Sequence, residues 1–380
     1  MSNIRPVSSA AASAPDRAFL PGRSPAFSVY SILRFRRAVN VRDIAVFCRQ
    51  FSVLLNAGIP IVETVSILRN QSENRRLEHI LGDIHTSLQM GNLLSQTLEK
   101  YTDVFEQFLI NMIKVGEASG SLDEIMERLA DYYERNNKIN QKIKSAMTYP
   151  VILSVLTVAV VVLLMVKVLP MFTGIISGMG GTMPALTYAL ISTSDFFVNN
   201  LFLIVFVIFA LIVGLRYLIK TDAGRYWFDG VKLTIPGVKT VTVKIITARF
   251  ARSMSILLKS GIPIVNAIDI IKHMIGNLVV EKKFEACGEG IRSGKGISGP
   301  IRDLNFFPKL LEHMVAVGES SGELDEMLGR TAVFFDAEVE EAIERLTVLI
   351  EPLLIVILGV VVGLIIVSIM LPMISIMTTI

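Results

Sequence analysis

Two copies of one acidic motif carry the groups in this 380-residue chain that are best suited to acid–base chemistry. The motif reads G-E-x-S-G-x-L-D-E, and it pairs Glu117 with Asp123 and Glu319 with Asp325. Two carboxylates can act together as a general acid and a general base. No candidate nucleophile, metal cluster or histidine accompanies either pair, so the other parts of an active site are missing. The motif therefore indicates a structural corner or a partner-facing edge.

The corner interpretation makes specific local predictions. One helix is expected to end at Gly120, and its counterpart in the second copy at Gly322. The small and acidic residues that follow each glycine suit a helix N-terminus. Residues 121–124 also fit a capping box, in which a Ser caps the helix, although the second copy has Glu323 at the cap position.

No other motif predicts a cofactor or a metal. The segment 290–296 looks like a phosphate-binding loop, but its glycine spacing is one residue short and Gly296 replaces the Ser or Thr that would hold Mg²⁺. A turn between helices explains it better, so we do not expect the chain itself to hydrolyse ATP. Cys48 and Cys287 form no C-x-x-C pattern and are expected to be reduced, partly buried thiols. The four histidines lack zinc-binding spacing.

The motifs lie in a unit that the chain contains twice. LLNAGIPIV at 54–62 returns as LLKSGIPIV at 257–265, and seven of the nine residues are identical. GEASGSLDE at 116–124 returns as GESSGELDE at 318–326, again with seven of nine identical. Each unit consists of a soluble domain of about 105 residues followed by one long apolar segment.

Each soluble domain is predicted to be a bundle of helices. Apolar residues recur at spacings of three and four, and strand-type alternation is nowhere sustained. Gly58 and Gly261 follow such runs as helix stops, while Pro60 and Pro263 suit the first turn of the next helix. In the first unit we predict helices near residues 42–57, 60–70, 73–90, 92–100, 105–118 and 121–148, the last running on toward the apolar segment. Six helices of this length can bury a core.

Three apolar segments are long enough to cross a bilayer, at residues 151–169, 201–219 and 353–371. Each is apolar on all sides, whereas a core helix of a soluble protein shows one apolar stripe. The whole chain is 52% hydrophobic and only 19% charged, which favours a membrane protein with water-facing domains. The expected fold class is therefore an all-α membrane protein, with two homologous cytoplasmic six-helix bundles and three transmembrane helices.

The distribution of Lys and Arg predicts the orientation. Residues 171–200 contain neither, whereas basic residues flank the first two apolar segments on their other sides, at positions 138, 142, 144, 220 and 225. Cytoplasmic loops carry the excess of Lys and Arg, so both soluble domains and the N-terminus are expected in the cytoplasm and the C-terminus outside it. The segment 201–219 has no counterpart in the repeat and returns the chain to the cytoplasm.

These observations divide the chain into eight expected parts. They are a disordered basic arm (1–40), a first cytoplasmic helical domain (41–149), a transmembrane helix (150–170), an extracytoplasmic loop (171–200), a second transmembrane helix (201–219), a second cytoplasmic helical domain that repeats the first (220–351), a third transmembrane helix (352–372) and an extracytoplasmic tail (373–380).

Two charged stretches leave alternatives open. The arm holds six Arg and one Asp, and it fits a solvated tail, a marker of the cytoplasmic side, or a docking segment for an acidic partner or a lipid surface. An acidic run precedes the third apolar segment and is either a solvated helix face or a contact for a basic surface, for example in a neighbouring copy. It consists of Asp336, Glu338, Glu340, Glu341 and Glu344.

The residues from about 40 to 380 resemble the F-type (PilC/GspF-like) inner-membrane platform proteins of type IV pilus and type II secretion machines. The resemblance is carried by F-x-R-Q-x-x-x-L-L-x-A-G-I-P at 47–60, by F-x-R-x-x-x-x-L-L-x-S-G-I-P at 250–263, and by both acidic corners. Tyr149-Pro150 at the first apolar segment and Leu371-Pro372 near the C-terminus add to it.

The resemblance implies a non-catalytic platform in the bacterial inner membrane that couples a hexameric cytoplasmic ATPase to the assembly of pilin or pseudopilin subunits. Further implied partners are other inner-membrane assembly proteins, membrane lipid and copies of itself, with no direct contact to nucleic acid and no cofactor. The structural or interface candidates are Arg49, Gly58, Pro60, Gly116, Glu117, Gly120, Asp123, Pro150, Arg252, Gly261, Pro263, Gly318, Glu319, Gly322, Asp325 and Pro352.

A small membrane transporter built from a domain-plus-span repeat is the alternative. Transporters with internal repeats usually have more spans, broken helices and polar groups at mid-membrane. The sequence shows no ionisable residue at the middle of a span, so this alternative is the weaker of the two.

Overall fold

The computed structural model describes residues 38–168, 170, 171, 174, 185–219 and 221–379. Within these residues the chain is built from helices and contains no strand, which confirms the all-α expectation. Nearly all of the predicted basic arm, residues 1–37, lies outside the described residues, as do residues 175–184 of the predicted extracytoplasmic loop.

The first half contains the six predicted helices. Their starts lie within two residues of the predicted ones, and the last runs on into the apolar segment as expected. They are α1 (Val41–Asn56), α2 (Ile61–Gln71), α3 (Arg75–Gln89), α4 (Leu94–Leu98), α5 (Gln107–Ser119) and α6 (Leu122–Leu163). A short 3₁₀ turn at Glu99–Tyr101 extends α4, and a π turn at Leu164–Val168 extends α6.

Two further helices, α7 (Ala185–Asn199) and α8 (Leu201–Leu218), connect the halves. The second half then contains α9 (Asp222–Thr234), α10 (Val238–Lys259), α11 (Ile264–Lys272), α12 (Leu278–Arg292), α13 (Ser298–Asp303), α14 (Lys309–Ser321) and α15 (Leu324–Thr379). The segment 290–296, predicted as a turn between helices, contains the end of α12 and most of the turn that leads to α13.

Among the described residues the second half has a seventh helix, α9, which lies before the repeated sequence begins. The residues of the first half at the equivalent distance before the repeat, 19–31, lie outside the described residues. The buried Asp229 of α9 accepts a hydrogen bond from the backbone N–H of Leu278 at 3.0 Å. The side chain of Asn277 in turn donates to the Asp229 carbonyl at 3.2 Å. These bonds fasten α9 to the start of α12, so the extra helix is an integral part of the bundle.

Glycines end helices, and prolines start the next ones, at the positions that the sequence spacing predicted. Gly58 and Gly261 follow α1 and α10 with φ of 79° and 78°, a left-handed conformation that favours glycine. The next N–H, that of Ile59, bonds back to the Leu54 carbonyl at 3.1 Å, as in a Schellman motif. Pro60 and Pro263 immediately precede α2 and α11 with φ of −58°, which proline fixes in advance.

The phenylalanine of each F-x-R motif belongs to the core. Phe47 packs edge-on to Phe51, with ring centroids 5.5 Å apart, and Phe250 packs against Phe307 at 4.9 Å. Buried side chains from both halves form one continuous hydrophobic cluster. The halves therefore share a core rather than folding as separate bundles, which is the usual result when two small domains bury apolar faces against each other.

The two helices α6 and α15 cross the expected domain boundaries without a break. Pro150 and Pro352 were expected at the starts of apolar segments, yet both lie inside a continuous helix. Proline lacks the N–H that would bond to the carbonyl four residues earlier, so each helix loses one bond at this point. Transmembrane helices tolerate such breaks in the bonding pattern. Each soluble domain is thus joined to its apolar segment by a helix and not by a loop.

The apolar parts of α6 and α15 are the two helices, among the described residues, that are long and apolar enough to cross a membrane. Their side chains are largely exposed, for example Val155 and Val356, whereas a core helix of a soluble protein would be buried. Helix α8 covers the middle predicted span, but several of its side chains lie outside the described residues. The count of three spans therefore stays a prediction.

Candidate functional site at the paired long helices

The long helices α6 and α15 lie side by side with equivalent positions of the repeat facing each other. Lys142 Nζ lies 3.5 Å from an Oε1 of Glu344, which occupies the same position in the second repeat. Two turns further along, toward the membrane, the Tyr149 hydroxyl donates to Glu351, its equivalent in the second repeat, at 3.3 Å. Lys138 faces its equivalent Glu340 at 3.6 Å. The two helices are therefore parallel and in register.

Charges of opposite sign make this register possible. Helix α6 has Lys138 and Lys142 where α15 has Glu340 and Glu344. Identical repeats would place like charges opposite each other, which destabilises paired helices. Lys142 also donates to Glu340 at 2.6 Å. This hydrogen bond lowers the pKa of Glu340 against the opposing effect of burial.

The acidic run before the third apolar segment is thus largely an internal contact. It was expected to be either a solvated face or a contact for another molecule's basic surface. Glu340 instead binds α6, and Glu338 binds Lys244 of α10 at 2.5 Å. Glu341 and Glu344 do keep exposed side chains, so only this part of the run matches the solvated-face interpretation.

Asp336 joins three helices from both halves. Its buried carboxylate oxygen Oδ2 accepts a hydrogen bond from Arg135 of α6 at 2.9 Å and another from Arg252 of α10. Burial lowers the pKa of Arg252, and the negative charge of Asp336 opposes that shift. A buried charge of this kind is stable only when it is paired and hydrogen-bonded. The cluster therefore fixes α6, α10 and α15 against one another.

The repeated arginine of the F-x-R motif has the same role in both halves. Arg49 makes a two-pronged contact with Glu134, with its Nε and Nη2 atoms at 2.7 Å and 2.8 Å from the two carboxylate oxygens. Glu134 occupies the repeat position of Asp336. The hydrogen bond from Arg49 lowers the pKa of Glu134, although partial burial acts in the opposite direction. In each half, the arginine therefore ties the first helix of the repeat to its own long helix.

The glutamates of the acidic motifs cap other helices. Glu117 accepts hydrogen bonds from the backbone N–H of Leu94 at 2.6 Å and from the Ser95 hydroxyl at 2.5 Å, at the start of α4. Glu319 accepts from the N–H of Ile297 at 2.6 Å and of Ser298 at 3.1 Å, at the start of α13. Free N–H groups at a helix start favour a carboxylate. Each carboxylate therefore stabilises the start of another helix in its own half.

The hydrogen bonds of Glu319 also affect its pKa. Burial raises the pKa of a carboxylate. In Glu319 that effect is outweighed by hydrogen bonds from Ser298 and from the N–H of Ile297, so the pKa falls. The carboxylate is held in its charged form, and as a permanent acceptor it is unsuited to proton transfer at neutral pH.

The glycines of the corners have two separate functions. Gly120 and Gly322 end α5 and α14 with φ of 72° and 77°, as predicted. Gly116 and Gly318 lie one turn earlier, where the next helix passes closely. A Cβ at Gly318 would lie 2.8 Å from the Leu324 Cα, and one at Gly116 would lie 3.1 Å from the Leu122 Cα. The first glycine of each motif therefore allows the helices to meet, and the second allows the chain to turn.

The capping box predicted at residues 121–124 is wrong. Ser121 has φ of −112° and ψ of 42° instead of the extended backbone of an N-cap, and its side chain does not cap α6. Its hydroxyl lies 2.7 Å from the Ser119 hydroxyl. Asp123 and Asp325 lie in the first turns of α6 and α15, where acidic residues stabilise the helix dipole.

The described residues offer little for catalysis. No group of three or more His, Cys, Asp or Glu among them could hold a metal ion. Cys48 and Cys287 are buried and unpaired, and burial raises the pKa of Cys287 to about 12. A thiol with such a pKa stays protonated and unreactive at neutral pH.

Sequence reasoning missed the contacts between the two long helices. Asp336 and Glu340 were seen only as members of an acidic run, while Glu134 and Arg135 were not singled out. A usable signal existed, because the repeat inverts its charge at Lys138 and Glu340. Whether any sequence-predicted candidate also contacts a partner stays a prediction.

Comparison with known proteins places these features in a family. The family model for the type II secretion system (T2SS), protein F, matches residues 47–170 and again 250–372. A type IV pilus assembly protein PilC from Thermus thermophilus is 38% identical over 90% of this chain and 84% of its own length. A PilC from Myxococcus xanthus is 35% identical over 89% of this chain and 81% of its own length. The type II secretion system protein F of Pseudomonas aeruginosa is 33% identical over 90% and 85% respectively.

Loss of the buried carboxylate should cost far more stability than loss of its repeat equivalent. Asp336→Asn leaves two arginines without their buried counter-charge, and we expect a loss of about 3–5 kcal/mol. Glu134→Gln removes a half-exposed partner and should cost about 1 kcal/mol or less. Circular dichroism melting of the full chain in detergent would compare them. Equal melting temperatures for the two variants would contradict the role given to Asp336.

The two corner glycines should respond differently to alanine. Gly322→Ala strains only the backbone and should cost about 1–2 kcal/mol. Gly318→Ala also forces the start of α15 away, and we expect a larger loss, with about 1–3 kcal/mol added by overpacking. Thermal melting in detergent measures both. If the Gly318 variant is the more stable one, the close approach is not a constraint.

The Arg49–Glu134 pair should contribute stability above the ordinary pKa of glutamate, about 4.3, and lose it as the pH falls through the lowered pKa of the folded protein. The melting-temperature difference between wild type and Glu134→Gln should therefore be constant from neutral pH to about pH 5 and shrink below about pH 4. Glu127→Gln, at an exposed position of the same helix, is the control. An unchanged difference at low pH would contradict the pairing.

Proposed function

The chain belongs to the type II secretion system protein F family, and on this premise we propose that it is a non-catalytic inner-membrane platform of a type IV pilus or type II secretion machine. In this role it couples a cytoplasmic hexameric ATPase to the assembly of pilin or pseudopilin subunits. The observation that carries the proposal is the unbroken passage of α6 and α15 from the helical domains into exposed apolar segments.

A continuous helix transmits displacement, whereas a flexible linker absorbs it. Motion imposed on the helical domains therefore reaches the apolar segments. The contacts of Asp336 and Glu340 with α6 make the two long helices move together. A pair of coupled helices is a suitable element for lifting a subunit out of the bilayer.

The charge distribution supports the orientation that this role needs. Lys and Arg are absent from residues 171–200 and frequent on the opposite sides of the flanking apolar segments. By the positive-inside rule the two helical domains and the N-terminus lie in the cytoplasm, and the C-terminus lies outside it. The domains are then on the side where an ATPase has access to ATP.

The proposed partners follow from the same position. They are the ATPase, pilins or pseudopilins, other inner-membrane assembly proteins, membrane lipid and further copies of this chain, with no direct contact to nucleic acid. The relatives' names include both pilus assembly and type II secretion, so the proposal covers both machines.

Affinity capture of the tagged full-length protein from detergent-solubilised host membranes tests the proposal. We expect mass spectrometry to identify a hexameric ATPase together with pilins or pseudopilins. Capture of neither would contradict the platform role, and changed small-molecule uptake on deletion of the gene would favour the transporter alternative.

A matched pair of variants tests the coupling itself. Ser145, Met147 and Thr148 are exposed on α6 just before Pro150. Replacing all three by Gly should weaken the helix there by about 1 kcal/mol per residue relative to Ala. We expect the Gly variant to keep its partners but lose most pilus assembly or secretion, while the triple Ala variant keeps both. Full activity of the Gly variant would contradict transmission through α6.

A further inference from the structure

The two halves of the chain use different helices of the repeat to contact each other. Helix α10 of the second half packs on α6 of the first, and α11 packs on α5. Arg128 of α6 donates to the hydroxyl of Ser260, at the end of α10, at 3.5 Å. In the described part of the chain, α1 does not pack in the same way on α15, nor α2 on α14. Away from the paired helices α6 and α15, where equivalent positions face each other, the contact is thus heterologous, with different surfaces on its two sides.

One consequence is an open face on α14 and α15. Phe108 and Tyr132 are fully buried in the first half, but their repeat equivalents Leu310 and Phe334 are 37% and 47% exposed. The equivalent arginines differ in the same way. The side chain of Arg128 is 27% exposed and that of Arg330 is 67% exposed, although each binds a glutamate four residues earlier.

The opposite end of the chain has the matching open face. Val46 and Val53 on α1 are 45% and 57% exposed. Their equivalents on α10 are Arg249 and Ile256, which are both partly buried. One chain therefore carries a repeat equivalent of each of the two surfaces that meet in its internal contact. In the described part of the chain, both of these equivalent surfaces are exposed.

The residues at these open faces fit each other chemically. In the internal contact Tyr132 and Arg249 both carry polar groups, and the Arg249 guanidinium donates to the Met274 carbonyl at 3.2 Å. At the open faces the equivalent positions hold Phe334 and Val46, so both polar groups are replaced by apolar ones. A buried polar group without its partner is costly, whereas two apolar groups gain from contact. Replacement of both polar residues by apolar ones therefore suits a second contact of the same geometry.

We propose that the open face of α1 on one copy docks on the open face of α14 and α15 on a second copy and repeats the internal contact of the two halves. This inference deepens the self-association that belongs to the proposed function, and it names the surfaces that meet. Exposed apolar side chains at α1, α14 and α15 are buried by the contact.

The register of the long helices determines how repeated contacts of this kind arrange successive copies. Tyr149 faces Glu351 and Lys142 faces Glu344, and each pair joins equivalent positions of the repeat. The halves are therefore related by a rotation with no shift along the helices. A heterologous contact whose operation includes a shift forms an open filament, whereas one that is a rotation dividing a full turn closes into a ring. Because this contact has no shift along the helices, its repetition keeps every copy at the same level and in the same orientation in the membrane.

Crosslinking between two different single-cysteine variants tests the proposal. Val46→Cys and Phe334→Cys proteins are prepared separately with different tags, reconstituted together in the full-length form, and treated with a short bis-maleimide. We expect a mixed dimer that carries both tags. The native thiols give little background because both are buried with raised pKa values.

Controls separate this geometry from others. Met90→Cys places a thiol at an exposed site far along the first half, and its mixture with Phe334→Cys should give no mixed dimer. Crosslinking of either variant with itself would indicate a two-fold contact and overturn the proposal. Absence of the mixed dimer would also overturn it, and would show that another segment or another protein covers the face.

A second measurement does not depend on crosslinking. Phe334→Glu places a charge in the proposed contact but on a side chain that is half exposed in the single chain, so folding should be unaffected. We expect the concentration at which the detergent-solubilised oligomer half dissociates to rise about tenfold or more. Met90→Glu should leave it unchanged. Because neither test involves the ATPase or pilins, their failure is distinct from failure of the platform role.

Discussion

The position of both long helices depends on one buried carboxylate. Asp336 lies on α15 and holds Arg135 of α6 and Arg252 of α10 at the same oxygen atom. Because a buried charge must be neutralised, neither arginine can move away without a large cost. The three helices are thereby fixed at a level above the membrane-facing segments. Below that level Ile139 of α6 packs with Val339 and Ile343 of α15 in a second buried cluster. These apolar contacts continue the alignment that the charges at Asp336 fix.

Much of the fold could be predicted because its signals are local. The left-handed glycines at the ends of α1, α5, α10 and α14, and the prolines that start α2 and α11, lie where short spacings placed them. The helix pattern of the first half followed from apolar spacing alone. The seventh helix of the second half was missed because it lies outside the repeat, and the repeat was the only guide to that region.

The contacts between helices could not be predicted, because spacing shows which face of a helix a residue is on but not which helix lies opposite. Glu117 illustrates this limit, since its partner N–H groups lie at the start of α4, 23 residues earlier for Leu94. The capping box at Ser121 failed for a related reason. Its sequence fits the motif, but the close approach of α5 and α6 at Gly116 sets a backbone conformation that capping does not allow.

The opposite charges of Lys138 and Glu340 have a consequence for how this gene can change. The two halves share only short stretches, such as 54–62 and 257–265 with seven of nine residues identical, but a rearrangement within the gene can duplicate either half. A product that carried the first half twice would set lysine against lysine along the paired helices, and one that carried the second half twice would set glutamate against glutamate. Neither could restore the alignment. Selection would therefore remove such products, so the duplication is preserved as two non-interchangeable halves of a single chain.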